Sequence, residues 1–304
     1  MHDIIVIGGG PAGLTAALYA KRSGKSVLVL EKEGYGGQIA FSPRVENYPG
    51  ICKISGEELA ENMLDQILAL DVDTDVACVS HVEPTDFGYR LTTEDGETHD
   101  CRAVILAAGV KHRHLGLPNE NELVGMGVSF CAVCDGGFYQ DKDVAVVGGG
   151  DTALQDALLL TDICEHVYLI HRRDTFRGEQ AKQDKLFRRC NIRKITNSQV
   201  TELLAPNGEL EAIEVENLLT GEKKTIAVEA LFVAVGLVPE LGAFANLVPL
   251  DENGYAAVGE DCTTAAPGVF VAGDCRAKEV RQLTTAVADG SCAALAACRY
   301  LDSL

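Results

Sequence analysis

Short apolar runs that end in glycine recur along the chain. They read Ile4-Ile5-Val6-Ile7, Val27-Leu28-Val29-Leu30, Val104-Ile105-Leu106-Ala107-Ala108, Val144-Ala145-Val146-Val147, Val167-Tyr168-Leu169-Ile170, Leu231-Phe232-Val233-Ala234-Val235 and Val269-Phe270-Val271-Ala272, not every one meeting its glycine at once. Runs this short and without polar alternation predict strands covered on both faces, as in a parallel sheet. Between them the spacing becomes helical. Leu14, Ala17 and Leu18 share one face of a helix that Gly24 ends, a second helix runs through Leu158, and a third spans Arg281 to Leu301.

Two of the strand, turn and helix units are written alike. The first strand enters Gly8-Gly9-Gly10-Pro11-Ala12-Gly13, and the next strand delivers Glu31, 23 residues after Gly8. This is a dinucleotide fingerprint in full context. Gly8 permits the tight turn, Gly10 lets backbone approach a pyrophosphate, and Gly13 brings helix and strand together. Free N–H groups at the helix start face the phosphates, and Glu31 can accept from a ribose diol.

The second unit enters Gly148-Gly149-Gly150-Asp151-Thr152-Ala153 and, 23 residues after Gly148, arrives at His171-Arg172-Arg173, with Arg177 close behind. An acid there would repel a ribose 2′-phosphate, whereas guanidinium groups grip it. The second site is therefore expected to take NADPH rather than NADH. The plainer alternative is a solvated basic run that happens to follow a strand.

At 304 residues the chain has room for two domains. The fold class expected is α/β, with two Rossmann-like FAD/NAD(P)-binding domains of three-layer ββα type, the second inserted into the first. The run at Val269, ending in Gly273-Asp274, would complete the first domain. Expected boundaries are 1–111 with 243–304 for the first and 112–242 for the second, joined by linkers at His112 to Pro118 and Leu237 to Ala243.

Composition narrows the function. A net charge of −19 argues against nucleic acid and anionic lipid as partners. Met1-His2-Asp3 lacks a basic signal region and no run is long enough to span a bilayer, so a cytoplasmic protein without membrane attachment is expected. Of the 11 cysteines, Cys52, Cys78, Cys101, Cys164, Cys190, Cys262, Cys292 and Cys298 are expected to be buried, reduced space-fillers.

The exception is Cys131-Ala132-Val133-Cys134, followed at once by Asp135-Gly136-Gly137. In a nucleotide-binding protein this spacing reads as a redox dithiol. Structural zinc would need two further ligands, and neither a second CxxC nor an HxxxH occurs, so no metal is expected. Asp135 is either the acid and base that serves the thiols or a residue that shapes the turn before two glycines. A nicotinamide delivers hydride while a dithiol reacts through thiolate, and a flavin between them accounts for the first nucleotide domain.

With these motifs the chain resembles the low-molecular-weight, NADPH-dependent thioredoxin reductases of bacteria and archaea. Gly36-Gly37-Gln38, Val45-Glu46-Asn47-Tyr48-Pro49-Gly50 and Gly273-Asp274 with Arg281-Gln282 extend the likeness essentially end to end. The resemblance implies that Gly8, Gly10, Pro11, Ala12, Gly13, Glu31, Gly37, Gln38, Asn47, Asp274, Arg281 and Gln282 hold FAD. Asp274 would lie on the ribityl chain, and the helix starting near Arg281 would point its N-terminus at the flavin. For NADPH it implies Gly148, Gly150, Asp151, Thr152, His171, Arg172, Arg173 and Arg177. It also implies that Cys134 faces the flavin, that Cys131 attacks a thioredoxin or thioredoxin-like partner, and that the protein is a homodimer.

Because the dithiol precedes the strand at Val144, it belongs to the NADPH domain. A rigid-body rotation about the two linkers is therefore expected to alternate dithiol and nicotinamide at the flavin. Two departures stand out. Cys275 follows Asp274 where the family usually has an apolar residue, and Leu237-Val238-Pro239-Glu240 replaces the commoner loop. A peroxiredoxin-reducing relative would carry an N-terminal extension, and ferredoxin-linked relatives would lack the arginines or the CxxC. A redox sensor that holds both cofactors without turnover is the alternative from another class.

Overall fold

The computed structural model describes residues 1–42 and 44–304. The chain opens with β1 (His2–Ile7), α1 (Pro11–Arg22), β2 (Val27–Glu31), α2 (Gly56–Leu68) and β3 (Asp73–Val76). An antiparallel meander follows, made of β4 (Val79–Thr85), β5 (Gly88–Thr93) and the long β6 (Thr98–Leu106). After β7 (Val110–His112) come β8 (Val128–Ser129), α3 (Ala132–Asp135), β9 (Asp143–Val147), α4 (Asp151–Leu160), β10 (His166–Ile170), α5 (Gln180–Leu186) and β11 (Ile192–Ile195). A second meander, β12 (Ser198–Leu204), β13 (Ala212–Asn217) and β14 (Lys223–Ala227), leads to β15 (Ala230–Val233) and β16 (Leu237–Pro239). The chain closes with β17 (Val269–Val271) and α6 (Leu283–Asp302).

Two compact units result, residues 1–111 with 238–304 and residues 112–237. The second crossing falls before Val238 rather than at the expected 242/243. Residues 238 to 242 are tied to the first unit, since Glu240 pairs with Lys32 and Lys111 and Leu241 is fully buried beside Ile5, Leu28 and Leu106.

In the first unit the sheet runs β3-β2-β1-β6, with β17 parallel to the far end of β6. The first half of β6 instead pairs antiparallel with β5, so this one strand joins the parallel sheet to the meander. Alternation assigns the layers. Ile4, Val6, Val27, Val29 and Ile105 pack toward α1 and α6, whereas Ile5, Ile7, Leu28, Leu30 and Leu106 pack toward Val82, Tyr89 and Leu91 of the meander. Where they are covered on both faces, at Ile4–Ile7, Val27–Leu30 and Ala103–Leu106, these strands are apolar at every position, as the sequence pattern requires. At about 25 cal/mol per Å², each such leucine or isoleucine contributes roughly 1.5–3 kcal/mol by burial.

The second unit repeats the plan on its own strands, ordered β11-β10-β9-β15-β8. Val144, Val146, Leu169 and Phe232 face α4, while Ala145, Ile170, Leu231 and Val233 face Val200, Ile213 and Ile226 of the second meander. Both units are thus three-layer ββα sandwiches.

Not every cysteine lies where the sequence reading puts it. Cys101, Cys164, Cys262 and Cys298 are buried, but Cys52, Cys190 and Cys292 are exposed and Cys78 is half-buried. Cys52 and Cys190 sit outside regular elements. Cys292 occupies the outward face of α6, whose period turns Ala286, Gly290, Ala293 and Ala297 inward.

Candidate functional sites: two nucleotide turns and a dithiol

In the first unit Gly8, at φ +111°, makes the turn out of β1. A Cβ on Gly13 would lie 1.8 Å from the Gly8 carbonyl oxygen, so only glycine lets α1 start this close to the strand. Gly10 is the N-cap of α1 without a side-chain cap, and Pro11 stands first in the helix. The first-turn amides of Ala12 and Gly13 therefore have no intrahelical acceptor. A Cβ on Gly10 would meet nothing nearer than 3.9 Å. That open approach beside free amides fits a pyrophosphate.

Glu31, at the end of β2, accepts the Gly9 N–H at 2.6 Å through Oε2 and the Glu33 N–H at 3.1 Å through Oε1. It locks the turn while each oxygen keeps lone-pair capacity for a ribose diol. The Gly36 N–H donates to the Gly9 carbonyl at 2.8 Å, which lays Gly37 across the same opening. Gln38 and Asn47 are exposed.

The turn after β17 carries other implied FAD residues and packs on the start of α1, where a Cβ on Gly273 would lie 2.8 Å from the Ala12 Cβ. Asp274 lies in a 3₁₀ turn after β17, and its Oδ1, screened from water, accepts no hydrogen bond. Lys278 Nζ lies 3.2 Å away as an ion pair outside hydrogen-bond alignment. Burial raises this carboxyl's pKa, with Lys278 pulling the other way. With only this ion pair at hand, the oxygen keeps lone-pair capacity for a polyol hydroxyl. Arg281 donates to the backbone carbonyls of Asp274 and Arg276 at 3.1 and 3.3 Å and lies over the Tyr255 ring. Gln282 is the N-cap of α6, in a reciprocal capping box with Thr285. Cys275 is fully buried beside this turn, its thiol pushed up to about 11 by burial, which makes it an inert filler.

In the second unit Gly150 caps α4 in the same manner, and a Cβ there would meet nothing within 4 Å. His171 takes the place that Glu31 holds in the first unit. Its ring lies so close that a Cβ on Gly149 would be 2.2 Å from Cε1. The ring stacks on Phe176, its Nε2 lies 3.1 Å from the Thr175 carbonyl, and burial lowers its pKa. His171 is therefore a neutral wall of the turn, and the positive charge falls to Arg172, Arg173 and Arg177. All three are exposed and have no ion-pair partner among the described residues. The Arg177 N–H donates to the Gly149 carbonyl at 2.7 Å, which docks that arginine's backbone on the nucleotide turn. Thr152 is exposed. Asp151 accepts from the Glu179 N–H and from Lys182, each at 3.0 Å, and these bonds hold its carboxyl below the usual range.

Also in the second unit, Cys131 and Cys134 are joined by a disulfide, with Cα atoms 5.2 Å apart. Cys131 caps α3, its sulfur accepting the Cys134 N–H at 3.2 Å. Both cysteines and Asp135 are half-buried, while Val133 between the cysteines is exposed. Gly136 packs the turn on α4, where a Cβ would come within 3.0 Å of Leu160. The sequence reading missed two buried polar groups of this unit, Ser129 beside the dithiol and Glu120 in the segment that leads to it. Ser129 bridges Asp135 and Cys131, and Glu120, only 2% exposed, accepts the N–H groups of Leu115, Gly116 and Leu117 at 2.9, 2.8 and 3.3 Å. Neither belongs to a spaced motif. Phe130, before Cys131, stacks on His112 and meets His114 edge-on.

The sequence matches the family of pyridine nucleotide-disulphide oxidoreductases over residues 2–290. It is 38% identical to a thioredoxin reductase of Listeria innocua, across 100% of this chain and 95% of the relative. A Treponema pallidum thioredoxin reductase is 39% identical across 100% of this chain and 98% of its own length. A crystal structure of thioredoxin reductase from Streptococcus pyogenes, 39% identical, superposes with a TM-score of 0.95 over 100% of this chain and 99% of that one.

Proposed function

The chain belongs to the pyridine nucleotide-disulphide oxidoreductase family, and from that premise we propose that it acts as a thioredoxin reductase. Electrons pass from NADPH through FAD to the Cys131–Cys134 disulfide and on to the disulfide of a thioredoxin or thioredoxin-like protein. The observation that carries this reading is the closed Cys131–Cys134 pair beside Asp135, in the same unit as the three unpaired arginines.

When bound, NADPH supplies a hydride and FAD relays it as the electron pair a disulfide can accept. The first-turn amides of Ala12 and Gly13, with Gly8, Gly10 and Pro11 shaping the turn, receive the FAD pyrophosphate, and Glu31 takes its ribose. Gly37, Gln38, Asn47, Arg281 and Gln282 line the remainder, and the buried Asp274 oxygen accepts from a ribityl hydroxyl. In the second unit Gly148, Gly150, Asp151 and Thr152 form the phosphate turn, His171 walls it, and Arg172, Arg173 and Arg177 select the 2′-phosphate.

Cys134 takes the electron pair as the disulfide opens. Cys131, as thiolate, attacks the partner disulfide, and Asp135 gives and takes the thiol proton. Because one unit carries both the dithiol and the nicotinamide site, the two must alternate at the flavin, and rotation about the crossings at 111/112 and 237/238 meets that need. The nine reduced cysteines support a reducing, cytoplasmic setting, and the protein works as a homodimer, as the family likeness implies.

Anaerobic titration with NADPH, followed by insulin-coupled reduction of a bacterial thioredoxin, tests the reading. Flavin bleaching and sustained NADPH oxidation that depends on thioredoxin are expected. A single round of reduction without turnover would sink it.

A further inference from the structure

Ser129 ends β8 with 3% of its surface exposed, and its hydroxyl makes hydrogen bonds in both senses. It donates to Asp135 Oδ2 at 2.6 Å and accepts the Cys131 N–H at 3.1 Å. The Asp135 N–H in turn donates to the Cys131 carbonyl at 3.0 Å, which closes a ring through the backbone of the first cysteine.

We propose that Ser129 is the positioning residue of the dithiol site, fixing the Asp135 carboxylate against Cys131 and setting the pH range over which that carboxyl exchanges a proton with the thiols. The proposal rests on the thioredoxin reductase reading above. An O–H donor on a carboxylate favours the ionised form. Alanine could neither donate to Asp135 nor accept from Cys131, and it would leave the half-buried Cys131 N–H without this acceptor.

The reaction served is balanced within the two proteins. The Cys131 and Cys134 thiols give up two electrons and two protons as their S–S bond forms, and the acceptor's S–S bond breaks to two thiols. Asp135 carries one of those protons from a cysteine to a leaving sulfur.

Other titratable groups surround the site. Tyr139, on the turn after α3, has its phenol pushed up to about 12 by burial and then by the Asp135 charge. Asp151 and Asp156 lie on α4, which packs against α3, and burial pushes Asp156 up to about 7. His112 and His114 flank Phe130. The test must therefore assign the titration to Asp135 rather than to any of these.

The experiment is the pH profile of NADPH-driven reduction from about pH 5 to 9, with a bacterial thioredoxin and separately with 5,5′-dithiobis(2-nitrobenzoate) as acceptor. Ser129→Ala should move the acid limb up by about one pH unit, the size of one charge-assisted hydrogen bond. Ser129→Thr, which keeps the hydroxyl, should restore it. In an Asp135→Asn background Ser129→Ala should move nothing further. FAD content per chain checks that each variant folds.

A limb that coincides with wild type, a loss equal at every pH, or a shift that persists in Asp135→Asn overturns the proposal. Loss of thioredoxin reduction by the wild type alone strikes the functional reading instead. The aromatic disulfide then still decides the role of Ser129.

Discussion

Arg276 grips Asp289 through two hydrogen bonds, Nε to Oδ2 at 3.2 Å and Nη2 to Oδ1 at 3.0 Å, with both side chains buried. Asp289 also accepts the Gly273 N–H and pairs with Lys278, itself the charge partner of Asp274. One carboxylate on α6 thus holds the turn that presents the buried oxygen proposed for FAD. Removing one partner of a buried pair typically costs about 3–5 kcal/mol, because the other charge is left without compensation. Asp289→Ala should lower the urea midpoint accordingly and purify with reduced FAD. A variant of full FAD content and unchanged midpoint would contradict this.

Nucleotide choice should follow the arginines rather than His171. Replacing Arg172 and Arg173 together with alanine should raise the KM for NADPH by about 10–100-fold, the worth of one or two charge-assisted hydrogen bonds, with little change for NADH. Steady-state kinetics with both nucleotides decides it. A parallel loss for NADH would place the arginines elsewhere in the mechanism.

The two cysteines should fail differently. Cys131→Ser and Cys134→Ser should each abolish turnover with thioredoxin while flavin bleaching by NADPH continues. Only Cys131→Ser should fail to trap, as a mixed disulfide, a single-cysteine thioredoxin whose thiol has first been capped as its disulfide with 2-nitro-5-thiobenzoate, which leaves as the enzyme thiolate attacks. Trapping by both variants would remove the assigned asymmetry.

Asp156 on α4 gives a pH signature of its own. Burial raises its pKa from 3.8 to about 7, so the folded chain binds the proton more tightly than the unfolded one. Its stabilising share is full below about pH 4 and is lost as pH rises toward 7. Urea midpoints of Asp156→Asn should show a weaker decline across that window and a gain of about 2 kcal/mol above it. Matching slopes for variant and wild type would refute the assignment.

The nucleotide turns and the dithiol were legible in the sequence because their chemistry is local. A glycine that must adopt φ +111°, as Gly8 does, or admit a helix at 1.8 Å, as Gly13 does, leaves no choice of residue, and spacing carries the rest. The meanders that cover each sheet were legible only as a layer type. Their strands mix buried with exposed positions, and β6 pairs parallel with β1 and β17 but antiparallel with β5.

What stayed hidden depends on side chains brought together from outside any repeat. Ser129 and Asp135 lie six positions apart across a turn, where neither strand nor helix period relates them. Asp289 meets Arg276 and Lys278 only because α6 folds back over the turn after β17. His171 stands in the linear run with Arg172 and Arg173, and only the fold shows its ring packed against Gly149 and stacked on Phe176.

The sequence by itself determined the two nucleotide-binding units, the redox pair and the insertion of one unit into the other, because backbone sterics and strand burial act on adjacent residues. Tertiary structure alone decided which groups hold Asp135 and Asp274 in place and which cysteines stay exposed. Burial, desolvation and hydrogen-bond partnership are properties of the folded neighbourhood, and no spacing rule encodes them.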